Sequence, residues 1–420
     1  MSRPTIVVAL HDGFYGCGTG AGYANKIFLE ILVDLLPPEA RLTVLPVQLS
    51  PASPEFDQDW HTDTQRLLAR ADAEVVPLHN GTHGATRFGG LPQFRRLATE
   101  TADALHRVVP TSTTESMVIA FDVPFFGVAP LLPPALVSRM VVVPRSTAAI
   151  HTPDDPERRA WESYGLHAVS SGGGRIAAIS HYMRHHLTGQ YWLPGDTVID
   201  LQDGLGPRDW QIGRTDDNLL PGPARGGFLL TMGRAHPYKG FDDLLDALVL
   251  LRRSRDDVPH LVMAAVGDAP EPNRYQRHLT DRIADERLNV TLLTTFAPTI
   301  RSWLAHPDLL GVVVPSRAEP FGRIPIEAYA THAGPVIATT AGGLAEQVVD
   351  GRTGFTTPPG RPDGLADAIR TALTLDTTGR DQILRQATQF ARTHFDHPRA
   401  VGRFLRDNAP WLPLLDRQSL

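Results

Sequence analysis

Cysteine and lysine are both scarce in this chain of 420 residues. Cys17 is the single cysteine, so no disulfide can form within the chain. Of the 40 basic residues only Lys26 and Lys239 are lysines. Arginine therefore serves wherever a positive charge is enough, and a remaining lysine marks a position suited to a compact point charge. Chance is the alternative explanation, and it is weaker for Lys239 because of the motif around it.

Long apolar runs are absent as well. The most apolar region, from Val123 to Val143, is interrupted by several prolines and by Arg139, whereas a membrane-spanning helix needs about 20 apolar residues. The first residues lead straight into a strand-like stretch and lack the features of a secretory signal. We therefore expect a cytoplasmic protein that does not bind membranes.

Positive charge is also in deficit, because the formal net charge is −6. A protein that binds a phosphate backbone presents a basic surface, so nucleic acid is not an expected partner. A hydrophobic content of 42% is ordinary for a globular protein, and 420 residues exceed what one core usually serves. Two domains are the expectation.

Strand and helix patterns alternate along the chain, and the alternation restarts once. Thr5–Leu10 is typical of a buried strand, and residues 24–36 have helical periodicity. A polar segment rich in proline and glycine, 215–227, precedes the restart. This predicts an α/β protein of two Rossmann-like, doubly wound domains, at 1–222 and 223–390, with a cleft between them. Helical patterns in 391–420 are expected to pack back on the first domain.

The second alternation begins with a strand that ends at Gly233 and Arg234, followed by Lys239 and Gly240 at the start of a helix. Ligands of open α/β sheets bind outside the carboxyl ends of the strands. Two cations beside a helix N-terminus suit a diphosphate, because the helix dipole and free amides add to their charge. A surface loop with two solvated cations is the alternative.

A later strand leads into a loop that holds Glu319, Phe321 and Gly322, and a helix follows with Glu327 in its first turn. A carboxylate at that place can accept hydrogen bonds from both hydroxyls of a ribose. Ordinary helix-dipole chemistry explains Glu327 equally well, and Glu319 could be a capping acid. A third strand precedes a glycine-rich turn, Gly342–Glu346, whose small residues let the backbone approach a ligand.

Glycine also recurs near the N-terminus, at every second position from Gly16 to Gly22. This is not the G-x-G-x-x-G pattern of dinucleotide sites, and no acidic residue follows at the expected distance. A nicotinamide cofactor is therefore not expected. A glycine loop before a helix could still contact a phosphate or admit an acceptor.

Together these segments resemble the retaining glycosyltransferases of family 4, which have the GT-B fold. The family carries a Gly-Arg…Lys-Gly loop, a Glu-x7-Glu signature and a Gly-Gly-x-x-Glu turn in this order. Here they stand as Gly233–Gly240, Glu319 to Glu327 and Gly342–Glu346. The resemblance is specific from about 227 to 359 and weaker in the first half of the chain.

The resemblance implies roles for these residues. Arg234 and Lys239 would hold the donor diphosphate and stabilise the leaving group, and Glu319 would bind a hydroxyl of the donor sugar. Glu327 would bind the ribose, and Phe321 and Gly322 would offer backbone amides. The remaining donor contacts would come from Gly233, Gly20 and Gly22. The donor would be a GDP- or UDP-sugar, bound without a metal ion and without a further cofactor.

One region departs from the family pattern. Many relatives have a histidine facing the donor sugar after a strand of the first domain, whereas Arg145 stands at that place and His151 lies a little beyond. Either of them, or Lys26, could contact the sugar or the acceptor, and local structural roles are the alternative. Asp57 and Asp59 spell the D-x-D of metal-dependent enzymes but are expected to be solvated acids in a polar loop.

The acceptor is expected to meet three first-domain loops, at 13–26, 79–93 and 124–134, which favours a small molecule of natural-product biosynthesis. The stretch from His11 to Tyr23 resembles the S-glycosyltransferases of lincosamide antibiotics. That resemblance implies a GDP-octose donor and the sulfur of a thione, ergothioneine, as acceptor. A sugar phosphorylase, a nucleotide-sugar epimerase and a binding protein with a silent nucleotide site remain alternatives.

Overall fold

The computed structural model describes residues 3–109, 115–213, 219–267, 271–295 and 297–415. Two compact units divide these residues: 3–203 together with 397–415, and 204–396. The boundary expected at 222/223 rested on a linker of which residues 214–218 lie outside the described residues. No helix in the described part of the chain combines the length and the apolar character that crossing a bilayer requires.

The first unit is built on a parallel sheet of seven strands in the order β3-β2-β1-β4-β5-β6-β7. The strands are β1 (Thr5–Leu10), β2 (Arg41–Pro46), β3 (Glu74–Val75), β4 (Ser116–Phe121), β5 (Met140–Val143), β6 (Arg175–Ala178) and β7 (Val198–Asp200). Every residue of β1 and β4 is buried. Such continuous burial is characteristic of parallel strands that helices cover on both faces.

The helices of the first unit include one segment from the C-terminus. They are α1 (Gly20–Leu35), α2 (Gln58–Arg70), α3 (Leu91–Val108), α4 (Pro134–Val137), α5 (Ala148–His151), α6 (Pro156–Ser171), α7 (His181–Gln190) and, after the second unit, α15 (His397–Asn408). Helix α15 packs against α1, and the amide of Leu415 donates to the carbonyl of Leu35 at 2.9 Å. The five residues beyond Leu415 lie outside the described part of the chain.

The second unit has a parallel sheet of six strands in the order β10-β9-β8-β11-β12-β13. The strands are β8 (Phe228–Arg234), β9 (His260–Val266), β10 (Val290–Leu293), β11 (Leu309–Val314), β12 (Val336–Thr339) and β13 (Gly354–Thr357). The helices are α8 (Phe241–Arg253), α9 (Arg274–Asp285), α10 (Pro298–Ser302), α11 (Ile324–Thr331), α12 (Leu344–Gln347), α13 (Pro362–Leu373) and α14 (Thr377–His394). Both sheets show the strand order of doubly wound Rossmann-like domains, as the sequence predicted.

Each sheet has a point at which the strand order reverses direction. In the first unit β1 lies between β2 and β4, and in the second β8 lies between β9 and β11. The crevice outside the carboxyl ends of the strands at such a reversal is the usual ligand site of an open α/β sheet. The fold therefore points to the segments after β1 and β4, and to those after β8 and β11.

Candidate functional site

The end of β8 carries the first predicted cation. Burial decreases along the strand until Arg234 is exposed. Its guanidinium carbon lies 5.9 Å from the ring centre of Tyr238. Within the described residues no acidic side chain pairs with Arg234. Within that part of the chain its positive charge is not neutralised, which suits an anionic ligand.

Lys239 follows Arg234 in the same loop and forms an ion pair with Glu319. Its ammonium donates to the carboxylate of Glu319, and both side chains are nearly buried, at 14% and 12% exposed. The lysine stem passes over Gly233, where an added Cβ would stand 3.4 Å from Cδ of Lys239. Gly233 therefore leaves room for the stem that delivers the ammonium to Glu319.

Positive charge also acts on the neighbouring His236. Burial lowers the pKa of its imidazole, and the charges of Arg234 and Lys239 lower this pKa further. The imidazole nitrogen Nδ1 accepts a hydrogen bond from the amide of Tyr238 at 3.3 Å. The loop after β8 is thus an electropositive place that disfavours a further cation and suits an anion.

The loops after β8 and β11 are held together by backbone contacts. Gly240 has φ = 69°, and a Cβ there would stand 1.9 Å from the carbonyl oxygen of Pro315. The amide of Arg317 donates to the carbonyl of Tyr238 at 2.7 Å. The guanidinium of Arg317 also holds both carboxylate oxygens of Asp243, at 2.7 and 2.6 Å. Lys239 and Glu319 therefore belong to one fixed assembly.

The loop that holds Glu319 folds tightly on itself. Gly322 has φ = 85°, and a Cβ there would stand 2.7 Å from Cγ of Glu319. The carbonyl of Glu319 accepts a hydrogen bond from the amide of Gly343 at 2.9 Å, which ties in the glycine turn before α12. The ring of Phe321 is buried, with its centre 6.0 Å from that of Phe395. Only the backbone of Phe321 is therefore left to face a ligand.

Glu327 lies in α11 and is buried in a network of four charged side chains. Its oxygens accept from Nε of Arg323 at 3.0 Å and from Nε of Arg301 at 3.1 Å. Asp209, which is fully buried, also binds both arginines, with 2.9 Å to Arg323. Arg323 donates further to the carbonyl of Gly204 at 2.7 Å. Glu327 is thus oriented by two guanidinium groups before any ligand arrives.

The structure brings together most of the predicted residues of the second unit, whereas Glu327 lies in its own network with Arg301 and Arg323. Arg234, Lys239 and Glu319 meet at the carboxyl ends of β8 and β11, and Gly233 and Gly322 form their close packing. The five remaining predicted residues belong to the first unit: Gly20, Gly22, Lys26, Arg145 and His151.

The glycine loop before α1 is organised by Asp12. Its carboxylate accepts from the hydroxyl of Thr19 at 2.6 Å and from the amide of Gly13 at 2.7 Å. A Cβ at Gly22 would stand 2.3 Å from the carboxyl carbon of Asp12. Gly22 is therefore required for packing, whereas a Cβ at Gly20 would meet no described atom within 4 Å and Gly20 is exposed.

Arg145 follows β5 and is almost fully buried. Its Nε donates to the side-chain oxygen of Asn25 at 2.6 Å, and its Nη1 donates to Asp203 at 2.9 Å. Its guanidinium also lies 5.1 Å from the ring centre of Phe121. These contacts stay within the first unit and are sufficient to fix the side chain.

His151 and Lys26 have local partners too. Nδ1 of His151 and the hydroxyl of Ser146 lie 2.6 Å apart. The ammonium of Lys26, which is fully buried, donates to Thr64 at 2.8 Å and lies 3.1 Å from the carboxylate of Asp63. The scarcity of lysine thus identified one residue at the candidate donor site and one within the core of the first unit.

Asp57 and Asp59 are both exposed, as the sequence interpretation expected of solvated acids, but Asp59 lies within a helix and not in a loop. Asp57 is the N-cap of α2 and accepts a hydrogen bond from the amide of Trp60 at 3.0 Å, while Asp59 lies in the first turn. Acidic residues there stabilise the helix dipole. No group of three potential metal ligands is found among the described residues.

Sequence reasoning missed the partners that orient the predicted residues. Asp209, Arg301 and Arg323 surround Glu327 but lie up to 118 positions from it, and nothing in their local sequence marks them. Arg323 alone carried a signal, because it precedes Glu327 by four positions and an arginine at that spacing can pair with a glutamate on a helix.

Comparisons with known proteins relate part of this chain to glycosyltransferases. Residues 227–374 match the family model described as glycosyl transferases group 1. A D-inositol 3-phosphate glycosyltransferase of Jonesia denitrificans is 30% identical over 256 residues, which is 57% of this chain and 59% of the relative. A glycogen synthase of Mycobacterium tuberculosis is 29% identical over 265 residues, 59% of each chain. The chain thus spans about three fifths of the length of these curated relatives.

Solved structures match over almost the whole chain. Sucrose-phosphate synthase from Thermosynechococcus elongatus has a TM-score of 0.73 at 16% identity, covering 97% of this chain and 99% of its own. Anabaena HepE in complex with UDP and glucose has a TM-score of 0.68 at 20% identity, covering 97% and 100%. The predicted fold class is therefore confirmed. Residues 227–374 are a segment of the glycosyl transferases group 1 type, in a chain whose two α/β units have the GT-B fold.

Proposed function

We propose that the protein transfers a sugar from a nucleoside-diphosphate sugar to a small acceptor, with retention of anomeric configuration. The observation that supports this best is the Lys239–Glu319 pair beside Arg234, at the point where the strand order of the second sheet reverses. The same segment matches the glycosyl transferases group 1 model. Two cations that suit a diphosphate lie there beside a carboxylate that can accept a hydrogen bond from a sugar hydroxyl, and a sugar diphosphate requires both.

Departure of a nucleoside diphosphate places negative charge on the diphosphate as the bond to the sugar breaks. Arg234 has no acidic partner in the described part of the chain, so its charge is available to that diphosphate. Lys239 is already directed by the rigid loops around it. Cations fixed where charge develops lower the barrier, because they need little reorganisation during the reaction. Arg234 and Lys239 are therefore the proposed catalytic electrostatic groups.

Glu319 has a second role in this proposal. In the free protein its carboxylate is bound by Lys239 and lies 3.4 Å from the hydroxyl of Ser316. When a donor arrives, the ammonium gains the diphosphate as a partner, and the carboxylate can accept a hydroxyl of the sugar. No glutamate nucleophile is needed, since the acceptor would enter on the face from which the diphosphate leaves.

The other donor contacts follow from the same site. Glu327, oriented by its two arginines, is proposed to accept the ribose hydroxyls through its remaining lone pairs. The amides around Phe321 and Gly322 are proposed to face the sugar. Gly20 and Gly22 are proposed to contact the donor phosphate. We propose that binding needs no metal ion.

The nucleotide base of the donor and the identity of the acceptor molecule are narrower proposals. UDP is the nucleotide in the complex of Anabaena HepE, which supports a UDP-sugar, and a GDP-sugar is the other candidate. The relatives named above act on inositol 3-phosphate or glycogen according to their names. For this chain we propose a small molecule of specialised metabolism, with a thiol or thione sulfur, as in lincosamide antibiotics, as one candidate nucleophile.

A thermal-shift experiment tests the donor assignment. The full chain is heated with UDP, GDP, ADP, NAD or phosphate, each with and without EDTA. A ligand at a hundred times its dissociation constant adds about 2.7 kcal/mol to stability, which is readily measured. We expect a shift with UDP or GDP that persists in EDTA and is lost in Arg234→Ala. Arg253→Ala, which removes an exposed arginine at the far end of α8, is the matched control and should keep the shift.

Two outcomes lead elsewhere. A response to phosphate with no response to any nucleotide favours a sugar phosphorylase. Nucleotide binding followed by conversion of the donor sugar without any acceptor favours an epimerase. The absence of a thermal shift with every nucleotide contradicts the proposed donor site.

A further inference from the structure

The first unit holds a cavity of about 190 Å³ outside the carboxyl ends of β2 and β3. Beyond these strands Val47 and Leu78 still pair in parallel, and the amide of Gln48 donates to the carbonyl of Leu78 at 2.9 Å. Gln48 and His79 therefore follow the two strands side by side, and both line the cavity. Ligands of open α/β sheets bind outside this end of the strands. None of the residues assigned to the donor lines this cavity.

A short loop, 80–87, contributes to the cavity wall and is fixed by its own contacts. The side-chain oxygen of Asn80 accepts from the amide and the hydroxyl of Thr82, at 3.1 and 2.6 Å, and its nitrogen donates to the carbonyl of Thr86 at 2.8 Å. The amide of Ser50 donates to the carbonyl of Gly84 at 2.9 Å. A Cβ at Gly84 would stand 2.5 Å from that amide nitrogen. The loop therefore presents its side chains in a defined arrangement.

Helix α3 adds one cation and one carboxylate to the wall, Arg96 and Glu100. The stem of Arg96 lies against Gly81, where an added Cβ would stand 2.8 Å from Cδ of the arginine. Nη2 of Arg96 lies 4.0 Å from the carboxylate of Glu100, and the two side chains are 60% and 34% exposed. That separation exceeds a hydrogen bond, and such exposed pairs contribute little. The guanidinium therefore keeps its N–H groups for another partner.

Four polar side chains of the wall share one property: within the described ranges none of them makes a hydrogen bond. They are Gln48, His79, His83 and Arg96. Each carries at least one N–H group, on an amide, an imidazole or a guanidinium. His83 also has φ = 52°, which is uncommon for a residue with a side chain. A few polar groups that converge on a cavity are what orients a bound ligand.

We propose that this cavity binds the acidic group, a carboxylate or a phosphate, of a small hydroxylated acid. An oxyanion accepts hydrogen bonds from the N–H groups of the wall, and Arg96 supplies the opposite charge. Glu100 repels a second acidic group and can accept a hydroxyl of the ligand instead. Sites that enclose a whole drug-sized ligand measure about 300 to 1,000 Å³. A cavity of about 190 Å³ therefore suits a small acid or the acidic end of a larger one, and not a nucleotide sugar.

The acid has two possible sources. Residues 79–93 form one of the three loops that the sequence predicted to meet the acceptor, so the group can belong to the acceptor itself. The other source is a separate small acid that acts as an effector. The cavity lies within the first unit. The inference therefore goes beyond the proposed function and does not depend on the donor assignment.

Titration calorimetry of the full chain tests the cavity with inorganic phosphate, glycerol 3-phosphate, glycerate and glycerol. All titrations use the Arg234→Ala background, which removes the anion site proposed in the second unit. Arg96→Ala should weaken binding of the acids about 10- to 100-fold, the effect of losing a hydrogen bond to a charged group. Arg107→Ala, which removes another exposed arginine of α3 that does not line the cavity, should leave binding unchanged.

His83→Gly gives a second test that is protected against misfolding. Glycine tolerates a positive φ, so this variant should keep its Tm while it binds the acids more weakly. Glycerol, which lacks an acidic group, should not bind. Equal affinity for the acids with and without Arg96, or no binding of any acid in the Arg234→Ala background, overturns the inference.

Kinetics with UDP-glucose or GDP-glucose distinguish the two sources. Glucosylation of glycerol 3-phosphate or glycerate, with a raised KM and an unchanged kcat in Arg96→Ala, assigns the cavity to the acceptor. A changed rate of donor hydrolysis by an acid that is itself unaltered, lost in Arg96→Ala, assigns it to an effector. A wild-type protein that binds no nucleotide refutes the proposed function, and the calorimetry still decides the cavity.

Discussion

The ammonium of Lys239 and the carboxylate of Glu319 form an ion pair across 80 positions of sequence, linking the loop after β8 to the loop after β11. Each group neutralises the other in the free protein, and neither is widely exposed. In the proposed function, a bound donor exchanges this pair for two new contacts, one to the diphosphate and one to a sugar hydroxyl. The pair keeps both groups in position.

Removing either member of this pair should have different consequences. Lys239→Ala should reduce kcat by about 10² to 10³, the effect of deleting one preorganised electrostatic contact, and should weaken nucleotide binding. Glu319→Gln should weaken binding of the nucleotide sugar more than that of the nucleotide, because it retains the lysine. Isothermal titration of both ligands and steady-state kinetics measure the difference. Equal losses for nucleotide and nucleotide sugar in Glu319→Gln would contradict a sugar contact.

Gly240 should be indispensable for steric reasons. Its φ of 69° strains any other residue, and a Cβ would overlap the carbonyl oxygen of Pro315 at 1.9 Å. Gly351 has nearly the same φ, 67°, but a Cβ there would meet no atom of the described residues within 4 Å. Gly351→Ala should therefore cost only about 1 to 2 kcal/mol of backbone strain. Gly240→Ala should cost more and should also abolish nucleotide binding, because the two loops separate.

Chemical denaturation and titration calorimetry of the two glycine variants check this prediction. An equal loss of stability in both would mean that the contact with Pro315 is relieved by a small shift. Retained nucleotide affinity in Gly240→Ala would show that nucleotide binding does not depend on the contact between these two loops.

Asp209 should matter more for stability than its position outside the sequence motifs suggests. It is fully buried and binds both arginines that hold Glu327. Removing one member of a buried charged network typically costs about 3 to 5 kcal/mol, since the partners keep their charge. We expect Asp209→Asn to lose stability on that scale, and Glu327→Gln to lose both stability and nucleotide affinity. Unfolding by urea, with and without nucleotide, distinguishes the two.

The sequence indicated the fold and the donor loops for physical reasons. Apolar runs such as Thr5–Leu10 and Leu309–Val314 are unambiguous because both faces of a parallel strand are covered by helices. Lys239 and Glu319 could be found because each follows a strand end closely, and strand ends converge at one edge of a sheet. Spacing along the chain alone left their roles open, and the resemblance to family 4 supplied the roles that remain predictions.

The parts that sequence could not supply depend on long-range contacts. Nothing near Asp209 or Arg301 shows that they belong to the network around Glu327, since one strand separates Arg301 from Glu327 along the chain and four strands separate Asp209 from it. Lys26 was singled out for its rarity, but burial and pairing with Asp63 decide its place. The strained backbone of Asp122, with φ = 77° and ψ = 177°, could not be predicted either, because an aspartate in a sequence does not indicate a glycine-like conformation.

Arg145 should behave as a structural residue of the first unit. Its guanidinium bridges Asn25 on α1 and Asp203, both at hydrogen-bond distance and buried. Arg145→Ala should lower stability by about 3 to 5 kcal/mol by leaving the charge of Asp203 without this partner. Arg145→Lys should recover part of the loss, because a lysine keeps the charge but cannot bind both groups in the same fork. A variant that unfolds like wild type yet fails to bind a nucleotide sugar would instead assign Arg145 to the donor.

His186 should make the stability of the protein depend on pH. It is buried beside Thr147, with 2.8 Å between Nε2 and the hydroxyl, and burial lowers its pKa from 6.5 to about 4. Between pH 6.5 and pH 4 the imidazole of His186 is protonated in the unfolded chain but not in the folded chain. The free energy of unfolding is therefore unaffected by this group above pH 6.5 and decreases as the pH falls towards 4. A shift of this size corresponds to about 3 kcal/mol. Urea unfolding from pH 7 to pH 4 should show a decline that His186→Gln reduces, whereas His185→Gln, at its exposed neighbour, should leave the decline unchanged. If all three proteins lose stability in parallel, the carboxylates of the chain, and not His186, set its response to acid.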